Sequence, residues 1–431
     1  MSPPPGPQGG LATPATGSIR LAGEHFAAAT FYLLAGSLGL IWIAPELAAG
    51  NYFSPRVAGI THLFTLGWIT TTIFGALHQL LPVALGAPIR WPRLGHASFW
   101  TFAPGAGLFA CGVAESSMVL NHAGIALVGI GVVLAVSNIA ATLPRARSRD
   151  VTWAAIGLAV TFLASTLVLG VVLLHNLHTS FIAGARVRVL ATHLHVAMIG
   201  WVLMMMVGVA HRLLPMFLLA HGADTRWTGR ALTFLAIGVP VLAVGLILPS
   251  RPLVWAALVL LEFGVACFLR QAYAFYRVRV RKRIDIGMRF AGTGLLFLIA
   301  ACLLAPIVLA QGVAATHLAT AYVLVGLLGG IVMFVAGFFY KIVPLLAWTA
   351  RYRGQMSKAG SVPTVAQMYS ARVAAVQLGL MAPGVLLLAL SILLGIASGA
   401  YAGATMFFAG VLLFVTQLVR VARGGPFGGK A

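Results

Sequence analysis

Charge is what this sequence has least of. Only 8% of its 431 residues are Asp, Glu, Lys or Arg, against roughly 25% in a soluble globular domain. Acidic groups number seven, too few to lay out an obvious series of proton-carrying carboxylates. The three cysteines, Cys111, Cys267 and Cys302, all fall in apolar runs, which excludes a disulfide framework. There is no C-x-x-C-H for covalent haem, no adjacent His-His pair and no H-x-x-x-Y. The first ten residues, MSPPPGPQGG, lack the basic start and apolar core of a signal peptide. What is there is apolar: 60% hydrophobic residues and a mean hydropathy of +0.99. Such a chain has no place for its apolar surface except lipid.

Twelve apolar runs approach the ~20 residues that a bilayer requires. They lie near 26–46, 58–83, 97–117, 122–143, 152–175, 190–218, 230–249, 252–273, 290–312, 316–347, 372–396 and 400–420. Helices are expected, because lipid offers no partner to unpaired backbone groups. The fold class read from this pattern is an all-α polytopic membrane protein of about twelve transmembrane helices. Residues 21–424 form the membrane domain, with a disordered tail at 1–20 and a short tail at 425–431.

The net charge of +21 does not point to nucleic acid, because the cations are scattered through short loops. Arg90 and Arg93 follow the second run, Arg145, Arg147 and Arg149 the fourth, and Arg226 and Arg230 the sixth. Arg277, Arg279, Arg281, Lys282 and Arg283 follow the eighth, Arg351, Arg353 and Lys358 the tenth, and Arg420, Arg423 and Lys430 the last. Every basic loop therefore follows an even-numbered run. The positive-inside rule then places both termini in the cytoplasm, as expected for a bacterial-type inner membrane. Arg56, Arg186, Arg188 and Arg251 are the exceptions on the outer side. Each is either an anion partner through charge-assisted hydrogen bonds or a solvated loop cation.

The chain also repeats itself. The second run reads THLFTLGWITTTIFGALHQLLP from Thr61 to Pro82, and the sixth reads THLHVAMIGWVLMMMVGVAHRLLP from Thr192 to Pro215. Both carry a histidine, Gly-Trp five and six residues later, and then G-x-x-H-x-L-L-P. The tenth is a looser copy, with Thr316–His317–Leu318 at its start and Gly337 to Pro344, GFFYKIVP, at its end. These runs are four apart, so the expected architecture is three pseudo-symmetric four-helix units. Runs 58–83, 190–218 and 316–347 then meet at the centre.

Read with the topology, His62, His193, His195 and His317 lie in the outer half. Two residues of helix turn about 200°, so the imidazoles of His193 and His195 leave nearly opposite faces and can serve two sites. Imidazole is a good axial ligand for haem iron. His62 and His195, alike in the Gly-Trp alignment, are the first choice for a clamp. Hydrogen-bonded imidazoles between helices are the plain alternative, although ionisable groups inside a membrane are usually functional. His175 and His178 form an H-x-x-H that can chelate copper or zinc or simply sit in a wet interface. His78 and His211, sixteen residues further on, are either a second haem pair or polar anchors. Glu262 is either a proton relay or a satisfied interhelical hydrogen bond.

H-x-H followed by Gly-Trp and G-x-x-(aromatic)-x-L-x-P resembles a helix of haem–copper oxidase subunit I, most closely in the cbb-type oxidases and nitric oxide reductases. NnrS-like haem- and copper-containing membrane proteins are similar too. The resemblance implies twelve helices in three arcs and a respiratory or nitric-oxide-related electron-transfer role. It also implies one or two haem b groups, copper as a further candidate, a c-type cytochrome or quinol donor, and partner subunits. By resemblance, His62 and His195 hold a low-spin haem and His193 faces a second site. Arg56, Arg186 and Arg188 precede the histidine-bearing helices and are expected to pair with haem propionates through charge-assisted hydrogen bonds. NnrS-type homeostasis without turnover is the alternative. The family's copper ligands include a His-His pair on helix seven, and this chain has none. A proton-pumping oxidase is therefore not expected.

Overall fold

The computed structural model describes residues 17–312, 315–352 and 362–424. Residues 1–16 of the first tail, the whole of the tail at 425–431, Arg353 and Lys358 lie outside them. Twelve helices in it are long and apolar enough to cross a membrane. They are α1 (Gly17–Trp42), α2 (Pro55–Ala84), α3 (Pro92–Ala114), α4 (Met118–Arg145), α5 (Val151–Thr179), α6 (Arg186–Leu218), α7 (Arg226–Ile247), α8 (Arg251–Arg277), α9 (Ile286–Gln311), α10 (Thr316–Tyr352), α11 (Ala371–Leu394) and α12 (Ala397–Arg423). The chain is an all-α polytopic membrane protein. The one departure at the start is that α1 begins at Gly17, so residues 17–20 are helix and not tail.

The packing repeats three times. In each unit the first helix lies against the second and the third against the fourth: α1 on α2 and α3 on α4, α5 on α6 and α7 on α8, α9 on α10 and α11 on α12. Three seams close the ring, α4 on α5, α8 on α9 and α12 on α1. The second helix of each unit is central. In its most apolar stretch α10 is 83% buried and α2 and α6 are each 61% buried, whereas peripheral α9 reaches only 17%.

Local sequence explains the repeat. Each central helix carries two glycines eight residues apart: Gly67 and Gly75, Gly200 and Gly208, Gly329 and Gly337. A β-carbon on Gly67 would lie 2.5 Å from Tyr32 Cγ, one on Gly200 2.7 Å from Phe162 Cγ, and one on Gly329 2.5 Å from Phe297 Cγ. The first helix of every unit thus seats an aromatic ring in a glycine notch of the second. One notch further along, Gly75 meets His25, Gly208 meets Ala155, and Gly337 meets Gly287 and Phe290. Small residues at such crossings let two backbones approach and gain dispersion contacts, the main attraction available between helices in lipid.

A polar device repeats as well. Asn138 of α4 accepts from the Trp91 N–H and donates to the Trp91 carbonyl, both at 3.1 Å. Gln271 of α8 accepts from the Thr228 N–H at 3.2 Å and donates to the Asp224 carbonyl at 2.8 Å. Gln417 of α12 does the same to Ser370, at 2.8 and 2.9 Å. Each buried amide ties the start of its unit's third helix, and the paired bonds offset the cost of burying it. Asp150 and Asp285 cap α5 and α9 and also pair with Arg212 and Lys341 of the adjacent central helices.

Candidate functional site at the unit seams

Each central helix contains eight residues of π-helix, at Leu63–Thr70, Val196–Leu203 and Val325–Val332. The main-chain N–H of Thr71 reaches the Leu66 carbonyl, and that of Met204 the Ile199 carbonyl, five residues back. Such segments are rare and concentrate at functional sites. They also give a register. His62, His195 and Leu324 each stand immediately before one, and Gly67, Gly200 and Gly329 hold its fifth position.

In this register His62 and His195 are structural equivalents, as the Gly-Trp alignment indicated. His317 is not in their layer. It precedes Leu324 by seven residues, about 10 Å further along the helix at 1.5 Å per residue. There it packs between two tight turns, near Gly50 and Gly395. The Thr-His-Leu match that suggested a shared depth is out of register with the helix packing.

Five histidines, His25, His62, His78, His122 and His195, bring Nδ1 within 2.7–2.8 Å of the carbonyl four residues earlier. A carbonyl only accepts, so Nδ1 carries the proton and Nε2 presents a lone pair. This is the tautomer that second-shell bonding fixes in metal-ligating histidines.

The H-x-H imidazoles part company as their 200° separation requires. His193 turns towards α5, with Cε1 3.3 Å from where a β-carbon on Gly170 would be. His62, whose ring meets Phe109 edge-on at 5.1 Å, is close enough to interact with His193 electrostatically. Nδ1 of His193 is buried without a hydrogen-bond partner. The seam between the first and second units therefore holds His62 and His193, and His195 points elsewhere. Its Nε2 lies 3.4 Å from the Tyr322 hydroxyl of α10, with the rings stacked at 6.2 Å. Tyr322 interacts electrostatically with Glu262 of α8 and Cys302 of α9, and Oε1 of Glu262 is buried and unpartnered. That group occupies the second seam. The third is filled by rings: Trp68 on Phe339 at 4.5 Å, and Phe414 on both.

The arginines differ in the same way. Arg56 is taken up by Glu46 at 3.4 Å and lies over Trp42. Arg188 stands two turns from His195 on the same face of α6, and its Nε is buried with no partner. At the same end, His178 stacks on His122 of α4 at 5.3 Å, while His175 packs on Phe181. Among the described residues, no three His, Cys, Asp or Glu side chains converge on one point as a metal ion requires. His78 and His211 do not meet. His78 lies beside His25, and His211 bonds Thr228 Oγ1 at 3.0 Å. Sequence reasoning missed Tyr322, which a π-segment register would have aligned with His193, and missed His122, which no repeat marks.

No protein-family profile matches the chain, and no curated protein does.

Proposed function

We propose that this protein binds haem b non-covalently in the seam between its first and second units, with His62 and His193 as axial ligands. The observation that carries the reading is a pair of half-buried imidazoles on two central helices, His62 with Nε2 presented by its Nδ1–H bond to the Ala58 carbonyl and His193 with a buried Nδ1 that meets no well-formed hydrogen bond. Both donors fit haem iron. A haem there would supply a one-electron carrier, and the surrounding helices would exclude water from it. The pairing departs from the His62–His195 clamp expected from the repeat positions, and what supports it is that His193 is within electrostatic reach of His62 whereas His195 Nε2 lies by Tyr322 of α10.

The protein is then a redox or electron-transfer relative of the haem–copper oxidases in a bacterial-type inner membrane, with both ends of the chain cytoplasmic. Reporter fusions test the orientation: a fusion in the 278–285 loop that is active only outside would reverse it. An oxidised-minus-reduced spectrum of the purified protein tests the cofactor. The sharp bands of six-coordinate low-spin haem b are expected, and a protein without them rejects the reading.

Arg188 shares the face of α6 with His195 and not with His193, and its buried, unpartnered Nε can hold a carboxylate at the second seam. With haem in the first seam, Arg188→Ala is expected to leave haem retention and reduction potential unchanged. Loss of retention in that variant would move the haem to the second seam. The alternative is a haem-holding protein of NnrS type without turnover. Consumption of nitric oxide or oxygen by the purified chain with a reduced donor separates the two.

A further inference from the structure

We propose that the second unit binds an anionic phospholipid at its basic end, with the lipid phosphodiester held by Arg230 of α7 and Arg270 of α8 beside the ring of Trp227. The site is independent of the haem reading. The guanidinium carbons of Arg230, Arg270 and Arg226 lie 4.6, 5.6 and 5.7 Å from the centre of the Trp227 ring, each drawn there by its quadrupole. Arg226 is neutralised by Asp224 at 2.6 Å. Among the described residues no carboxylate pairs with Arg230 or Arg270, and both side chains are exposed. Two like charges gathered at one indole repel each other, and an anion between them removes that cost.

The packing of the units does not require this arrangement. The buried amides Asn138, Gln271 and Gln417 tie the N–H groups of Trp91, Thr228 and Ser370, which puts the three units in register. Two residues after each tied position stands an arginine, Arg93, Arg230 or Arg372. The residue before each amide is Ser137, Arg270 or Thr416. In this register only the second unit carries a cation on both helices of the pair. Only it has an indole just before the tied residue, where the other units have Arg90 and Tyr369. The arginine common to all three is loop charge of the ordinary kind; Arg270 and Trp227 are what the second unit adds.

The surface next to the arginines fits the rest of such a molecule. From Arg230 the exposed face of α7 continues through Thr233 to Ile237, and from Arg270 that of α8 continues through Phe263 to Val259. Steps of three, four and seven residues keep each set on one side of its helix. Phe234 and Phe263 meet edge-on at 4.8 Å across the helix pair, so one groove has a cationic head and an apolar floor. A guanidinium fork matches phosphate oxygens, tryptophan favours the headgroup level, and basic pockets between membrane helices hold anionic heads. Inorganic phosphate would use the arginines alone, whereas a phospholipid uses the floor as well.

The test uses the purified full chain in detergent, with bound lipid counted by native mass spectrometry. Phosphatidylglycerol and phosphatidylcholine of identical acyl chains are titrated in turn. One phosphatidylglycerol should bind more than about tenfold tighter than phosphatidylcholine, and an equal concentration of inorganic phosphate should not displace it. Arg270→Thr, which copies Thr416, should cut that preference about fivefold, the effect of one basic residue near an anionic head. Arg93→Gln, the first-unit counterpart of Arg230, should leave it unchanged. Both side chains are exposed, so both variants are expected to fold and to melt with the lipid-free wild type. If Arg270→Thr does not fold, Arg230→Gln takes its place. Equal affinity for the two lipids, displacement by inorganic phosphate, no loss in Arg270→Thr, or the same loss in Arg93→Gln overturns the proposal.

Discussion

His62→Ala and His193→Ala should each abolish the low-spin haem signal, and His195→Ala should leave it in place. Losing one axial imidazole converts a six-coordinate iron to a five-coordinate one, so the spectrum changes class as well as intensity. The haem should also dissociate more readily, because one of its two protein bonds is gone. Bound ligand stabilises a fold by about 2.7 kcal/mol when present at a hundred times its dissociation constant. The loaded wild type should therefore melt above either variant, and haem-free samples should melt together. The three-variant set is decisive because His193 and His195 are neighbours in sequence but face different seams. Loss in His195→Ala with retention in His193→Ala would move the clamp to the second seam. Retention in all three would remove haem from this layer altogether.

Gly200→Ala should destabilise the whole bundle, a second large effect with a different cause. The added methyl would sit 2.7 Å from Cγ and 2.9 Å from Cβ of Phe162. Those atoms are near the root of the side chain, so a rotamer change does not remove the clash and α5 must move off α6. Overpacking of this kind costs about 1–3 kcal/mol. Because α6 carries both His193 and His195, displacement should also broaden or weaken the haem spectrum. Thermal unfolding in detergent is the measurement. The control is Gly229→Ala, where a β-carbon would meet nothing within 4 Å. Equal melting of Gly200→Ala and wild type would mean that the notch is slack and that the three-unit packing rests on other contacts.

The second seam also bears on any turnover. His195, Tyr322, Glu262 and Cys302 come from four different helices of the second and third units. They provide one imidazole, one phenol, one carboxyl and one thiol, ionisable groups of the kind that are costly inside a membrane. The third seam, by contrast, is filled by the rings of Trp68, Phe339 and Phe414.

Much of this protein was readable without its structure, because the bilayer restricts the choices so severely. Twelve apolar runs separated by basic loops admit few folds other than a helical bundle, and the positions of the spans follow from hydropathy alone. The internal repeat, with Gly-Trp in two of its copies and a looser third, placed α2, α6 and α10 at the centre, and the register after His62 and His195 agreed. Three things were decided only in three dimensions. His317 left the histidine layer because depth is set by helix packing and not by a three-residue motif. His193 and His195 turn to different neighbours, α5 and Tyr322, and repeat position says nothing about which way a side chain faces. The groups around Tyr322 came together from helices far apart in sequence, and no local pattern records such a meeting. Hydrophobic periodicity encodes what touches lipid. Contacts among polar groups inside the bundle depend on how the glycine notches bring helices together, and that is a property of the packed whole.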